Sequence, residues 1–228
     1  MVRYAQSIGR SSNNANFASN IGLPPIPMSS KIIKYLLVER IKRLFKPEPT
    51  GEHWCRVVMD QETDKLISAL PFKSFSSLEI SGQKWSDFGF QSYRSVQYPE
   101  FDICAEKLNQ SFDIIIAEQV FEHLLWPYRA GRNVFEMVKP GGYFLVSVPF
   151  LIKIHLYPVD CTRWSETGLR YFLAECGFDL DSIITGAWGN TECVVSNFNG
   201  WTTYREGFHN LKNDAEMPMV TWALAKKI

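Results

Sequence analysis

Residues 112–150, FDIIIAEQVFEHLLWPYRAGRNVFEMVKPGGYFLVSVPF, hold two apolar runs on either side of a helical pattern. "FDIIIA" (112–117) and "YFLVSVPF" (143–150) are short and almost wholly apolar, as expected of strands buried on both faces. Between them "EQVFEHLLWPYRAGRNVFEMV" reads as a helix, and "PGG" supplies the turn into the second strand. Strand, helix, strand is the repeating unit of a parallel sheet. Working outward, "SSLEIS" and "YRSVQY" read as two more strands, and "FDIC" (101–104) as a third, very short one. A helix is expected over about Trp54 to Leu70, closed by "PF". Downstream, the long loop "LIKIHLYPVDCTRW" leads to the helix "SETGLRYFLAECGF", which ends at Gly177. Two strands follow, near "DSIITGAWG" and "PMVTWALAKK". The expected fold is α/β: a doubly wound, Rossmann-like, mostly parallel sheet with helices on both faces.

Of the 228 residues, 46% are apolar and 21% charged, and the formal net charge is zero. This suits a protein with a sizeable core and gives no general attraction for polyanions, so no nucleic-acid partner is expected. Five cysteines (Cys55, Cys104, Cys161, Cys176, Cys193) form no CxxC or Cys/His cluster. Neither a zinc site nor a disulfide framework is indicated by such spacing, and a reducing, cytoplasmic location is the simplest reading. No stretch is long and apolar enough to span a bilayer. Residues 1–28, rich in Ser and Asn, read as a flexible leader, 29–70 as N-terminal helices and 71–228 as the Rossmann-like domain. The helix pattern at 31–46 is basic and amphipathic. Two readings are open for it: a cover for the core, or a peripheral contact with a membrane surface.

The ordered set of acid-bearing strand, "FD" strand, "EHL", "KPGG" turn and "GF" helix end resembles the class I S-adenosylmethionine-dependent methyltransferases, in particular the type 11 group. The resemblance runs over about residues 76–182. It implies a seven-stranded sheet with an antiparallel last strand, S-adenosylmethionine as cofactor, and a small-molecule methyl acceptor. By the same resemblance Glu79 organises the first turn and the cofactor's amino-acid end, beside Ser81 and Gly82. Asp102 matches the acid that meets the adenine amino group, with Ile103 beside the ring. Ala117, Glu118 and Gln119 end the "FDIIIA" strand and belong at the cofactor edge, where doubly wound sheets hold ligands.

Two departures stand out. The first motif reads Glu79, Ile80, Ser81, Gly82, Gln83, Lys84, Trp85, with one glycine where the family has three. At the end of the second strand, Gln97 stands where an acid binds the ribose hydroxyls. A neutral amide there forgoes charge-assisted bonds worth about 1–2 kcal/mol each. The loop "HLYPVDCTRWSETG" (155–168) follows the strand at whose end the acceptor sits. It brings His155 as candidate base, Asp160 as its orienter, and Arg163 or Tyr157 as acceptor-binding groups. Alternatively, Asp160 and Arg163 simply pair to fix the loop. His123 is expected near the cofactor edge, packed and hydrogen-bonded, with a secondary role in acceptor binding. Methyl transfer to an oxygen of a sugar or biosynthetic intermediate is the leading expectation. A catalytically inactive, methyltransferase-like binding or scaffold protein is the alternative.

Overall fold

The computed structural model describes residues 51–156 and 159–228. The leader, the helix at 31–46 and Tyr157 lie outside the described residues. Two-residue alternation sorts the strand side chains onto opposite faces of one sheet. Its strands are β1 (Ser76–Ile80), β2 (Ser92–Val96), β3 (Phe112–Glu118), β4 (Val138–Pro149), β5 (Ile183–Trp188) and β6 (Val220–Lys226), in the spatial order β2-β1-β3-β4-β6-β5. β1 pairs in parallel with β2 and β3, and β3 with β4. β6 runs antiparallel to both β4 and β5.

On one face, helix α1 (Val57–Ser68) places Ile67 over Ile114, Ile116, Leu145 and Leu224. On the other, α2 (Pro127–Met137) and α3 (Glu166–Glu175) bury Ala130, Val134, Leu169 and Phe172 against Leu78, Ile115, Phe144 and Val146. α2 and α3 approach closely: a Cβ on Gly131 would lie 2.3 Å from the Cys176 Sγ. α3 begins at Ser165, whose hydroxyl accepts from the Gly168 amide, and gives way to Gly177 at φ +119°, the conformation glycine supplies at helix ends. A further short helix, α4 (Thr191–Asn197), was not expected. Asn190 caps it by accepting from the Cys193 amide.

Two expectations are corrected. Among the described residues the sheet has six strands rather than seven, because "FDIC" forms a turn. The amides of Ala105 and Glu106 both donate to the Asp102 carbonyl and that of Phe101 donates to Gln97, so these backbone groups are satisfied locally. The helix expected from residue 118 starts only at Pro127. β3 runs on through Glu118, Gln119 takes φ +55°, and Phe121–His123 form a single 3₁₀ turn. Pro127 suits the first helical position, where no amide is required.

Successive strands step outward from β1 to β2 on one side, and from β3 to β4 on the other. The sheet therefore reverses direction between β1 and β3, and their carboxyl ends bound the crevice in which such sheets hold ligands.

Candidate active site

The loop after β1 is built around Glu79. Its side chain is nearly fully buried and accepts three hydrogen bonds: from the amides of Lys84 (3.2 Å) and Trp85 (3.1 Å) and from the Tyr93 hydroxyl (2.7 Å). The Ser95 hydroxyl donates to the Gly82 carbonyl at 2.5 Å, which ties the same loop to β2. A Cβ at residue 82 would lie 2.2 Å from Glu79 Oε1, so the one remaining glycine of the motif sits where a side chain would collide with this carboxylate. Ser81, directly before it, holds φ +60° and donates its amide to the Val96 carbonyl at 2.9 Å. Left-handed backbone costs an L-residue roughly 1–2 kcal/mol. Ser81→Gly should therefore stabilise the protein by about 0.5–1 kcal/mol after the greater freedom of glycine in the unfolded chain is subtracted. Urea unfolding measures it, and a loss of stability would show that the serine side chain has a role of its own.

Across the crevice, the end of β3 meets this loop through charge. Glu118, largely buried, accepts from Lys84 Nζ at 3.1 Å and Trp85 Nε1 at 3.2 Å and lies 3.6 Å from the Arg56 guanidinium. Lys84 also donates to Asp60 at 3.0 Å, and Arg56 approaches Asp60 at 3.7 Å. Two cations and two carboxylates thus converge on the switch point from the segment that leads into α1, from α1 itself, from the β1 loop and from β3. Burial pushes the Glu118 carboxyl above its ordinary value, although Lys84 and Arg56 pull it down.

The remaining candidates are in different states. Gln97 is exposed at the end of β2. Asp102 accepts the Cys104 amide at 2.9 Å within its own turn. Ile103 is buried in the core, and its carbonyl accepts from Asn133 at 2.7 Å. Ala117 is wholly buried. Gln119 donates its amide nitrogen to the Ser147 hydroxyl at 3.3 Å, between β3 and β4.

Beyond Gln119 the 3₁₀ turn anchors the loop that follows β4. The Glu122 carbonyl accepts from the amides of Cys161 (2.8 Å) and Thr162 (3.3 Å). Asp160 binds the Arg163 guanidinium through both oxygens and accepts the His155 amide at 2.8 Å, so the expected pairing that fixes the loop is present. His155 and His123 meet edge to face with ring centroids 4.9 Å apart, and Trp201 also meets His155 edge to face, at 5.7 Å. His123 Nδ1 lies 2.5 Å from the Val159 carbonyl. Burial depresses both imidazoles, for His155 with the neighbouring His123 adding to it, so the neutral forms are favoured. The Glu122 side chain is wholly buried beside them, and burial pushes its carboxyl up to about 8.

Residues 77–146 match a family model described as a methyltransferase domain. That stretch of the chain is similar to a methyltransferase domain. A putative S-adenosylmethionine-dependent methyltransferase from Listeria monocytogenes is 12% identical to it, with a TM-score of 0.50 over 75% of this chain and 99% of the other. An S-adenosylmethionine-dependent methyltransferase from Mesorhizobium loti is 14% identical, with a TM-score of 0.47 over 73% of this chain and 97% of the other. At such identities the likeness is one of fold, a Rossmann-like sheet flanked by helices. No curated protein sequence matches the chain.

At this site the sequence reading missed Arg56, Asp60, Lys84 and Trp85. Arg56 and Asp60 are four residues apart and lie before the matched segment, where they read as an ordinary solvated helix pair. Trp85 did carry a signal, since it occupies a motif position where the family has glycine.

Proposed function

We propose that this methyltransferase domain moves the methyl group of S-adenosylmethionine to an oxygen of a small molecule. The observation that carries the reading is the continuity of residues 118–123. Glu118 belongs to the charged cluster at the switch point, and Glu122 and His123 belong to the histidine cluster at the acceptor loop. Cofactor end and acceptor end are joined within six residues.

The charged cluster fits the cofactor. An amino-acid end is a zwitterion, and Arg56 and Lys84 complement its carboxylate while Asp60 and Glu118 complement its ammonium. Gln97 offers an amide to the ribose, and Asp102 and Ile103 are the proposed adenine neighbours. When bound, the cofactor supplies an electrophilic methyl carbon on a sulfonium. This chain's part is to align the acceptor and take up its proton. His155, neutral and held against Asp160 by its backbone amide, is the proposed base, with Asp160 a positioning residue and Arg163 and Tyr157 toward the acceptor. His123 lines the same end. The five unpaired cysteines, four of them buried, suit a reducing cytoplasmic setting.

A second reading has its own observation. The Lys84–Glu118 bridge and the Trp85–Glu118 hydrogen bond already span the crevice, an arrangement that also suits a binding protein without catalysis. Isothermal titration of the chain with S-adenosylmethionine and S-adenosylhomocysteine decides between them. Micromolar dissociation constants for both are expected, and no heat at millimolar ligand would leave the binding-protein reading.

A further inference from the structure

Three ligand-type side chains, Glu122, His123 and His155, face one another beside the acceptor loop, with one donor atom from each within 4.8 Å of the other two. The Glu122 side chain is fully enclosed, and neither of its oxygens has a hydrogen-bond partner. The Nδ1 of His155 is also buried without a hydrogen bond, 3.4 Å from Asp160 Oδ2. His123 is oriented from behind. Its Nδ1 must carry the proton to donate to the Val159 carbonyl, which leaves a lone pair on Nε2. That lone pair lies 3.5 Å from Glu122 Oε1. An enclosed carboxyl group without partners and an imidazole lone pair thus face each other across a gap that a proton bridges in the free protein and that a cation can bridge once that proton leaves.

We propose that Glu122, His123 and His155 bind one divalent first-row transition-metal ion of the zinc type, through one carboxylate oxygen and two imidazole nitrogens. Imidazole with carboxylate selects this class over magnesium or calcium, which prefer all-oxygen sites. Ligand atoms about 2.1 Å from a tetrahedral centre lie about 3.4 Å apart, so closure from the observed spacing takes side-chain shifts of about 1 Å. The outer support is present. The Val159 carbonyl fixes the His123 ring, and the Asp160–Arg163 pair together with the two amides donated to the Glu122 carbonyl fixes the loop that carries His155. Three protein ligands leave a fourth position for a water or an acceptor hydroxyl, whose proton the metal makes easier to remove. Metal binding does not depend on the cofactor reading. Metal binding occupies the lone pair of the neutral His155 ring, so the base role proposed for His155 applies to the metal-free protein.

The test uses the full chain, stripped with a chelator and dialysed, then titrated with Zn²⁺ by calorimetry and with Co²⁺ followed by its visible absorption. One equivalent should bind with a dissociation constant of about 10 µM or lower. Loss of a ligand should weaken binding by about 100-fold or more, beyond the usual effect of an outer-shell change, in Glu122→Gln and His155→Ala. His209→Ala, which alters an imidazole stacked on Trp54, should bind as the wild type does. If Glu122→Gln does not fold, the partly buried loop position in His155→Ala carries the comparison. The proposal is overturned if the wild type takes up no stoichiometric metal below 1 mM, or if the two ligand variants bind as tightly as His209→Ala. Methyl transfer would then stand with His155 as base.

Discussion

Glu79→Ala should lower the stability of the protein by about 3–5 kcal/mol, a drop in melting temperature of about 10 °C for a chain of this size. The carboxylate is the single acceptor that gathers the Lys84 amide, the Trp85 amide and the Tyr93 hydroxyl. Each donor left buried and unpaired costs about 1–3 kcal/mol, and relief from burying an acid returns part of the sum. Glu79→Gln keeps the shape and one acceptor oxygen and should lose roughly half as much. Tyr93→Phe removes one donor and should cost about 1 kcal/mol. The three variants thus form a graded series by urea unfolding. A Glu79→Ala protein within 1 kcal/mol of the wild type would show that the loop does not rest on this carboxylate.

Glu118→Ala should weaken S-adenosylmethionine binding by about 100-fold, equivalent to about 2.7 kcal/mol, while changing the melting temperature by only a few degrees. The loss corresponds to one or two charge-assisted hydrogen bonds of about 1.5–3 kcal/mol. The small effect on stability follows from the opposing effects on Glu118. Burial penalises its charge, Lys84 and Arg56 favour it, and burial prevails. The pH dependence has a definite sign. Since the folded state holds the Glu118 proton more tightly than the unfolded chain does, ionisation at this group costs stability as pH rises above the ordinary glutamate range. Acidification should therefore favour the ligand-free fold at this group while weakening cofactor binding. Glu118→Gln should lack that slope in both measurements. An unchanged dissociation constant in Glu118→Ala would remove this cluster from the cofactor site.

Burial on both faces made β3 and β4 legible as apolar runs, and Ser165 and Gly177 marked the ends of α3 because caps are local chemistry. "FDIC" misled for the opposite reason. Its apolar residues do enter the core, but from a turn, and apolar content alone cannot tell a short strand from a buried turn. α4 spans only seven residues, too few for a helical period to show. At the site, His155, Asp160 and Arg163 lie within nine residues of one another, so their association could be read directly. The partnership of Arg56, Asp60, Lys84 and Glu118 spans four separate elements and exists only once the sheet has formed. Glu122 carries the same lesson. Nothing in "FEHL" distinguishes a solvated acid from one enclosed without partners, because enclosure is set by loop 160–163 closing over it.

The position of β6 bears on how the chain assembles as it is made. β6 follows β5 in order of synthesis, yet it lies between β4 and β5. Until Val220–Lys226 exists, β4 has an open edge and β5 has no strand to pair with. About thirty residues separate Trp188 from Val220, some 2–6 s of synthesis at ordinary translation rates. For that interval the nascent sheet exposes one of its most apolar edges, a template for pairing with a neighbouring chain. Insertion of β6 closes that edge and recruits β5 in one step, so misassembly during biosynthesis is governed by how promptly β6 arrives.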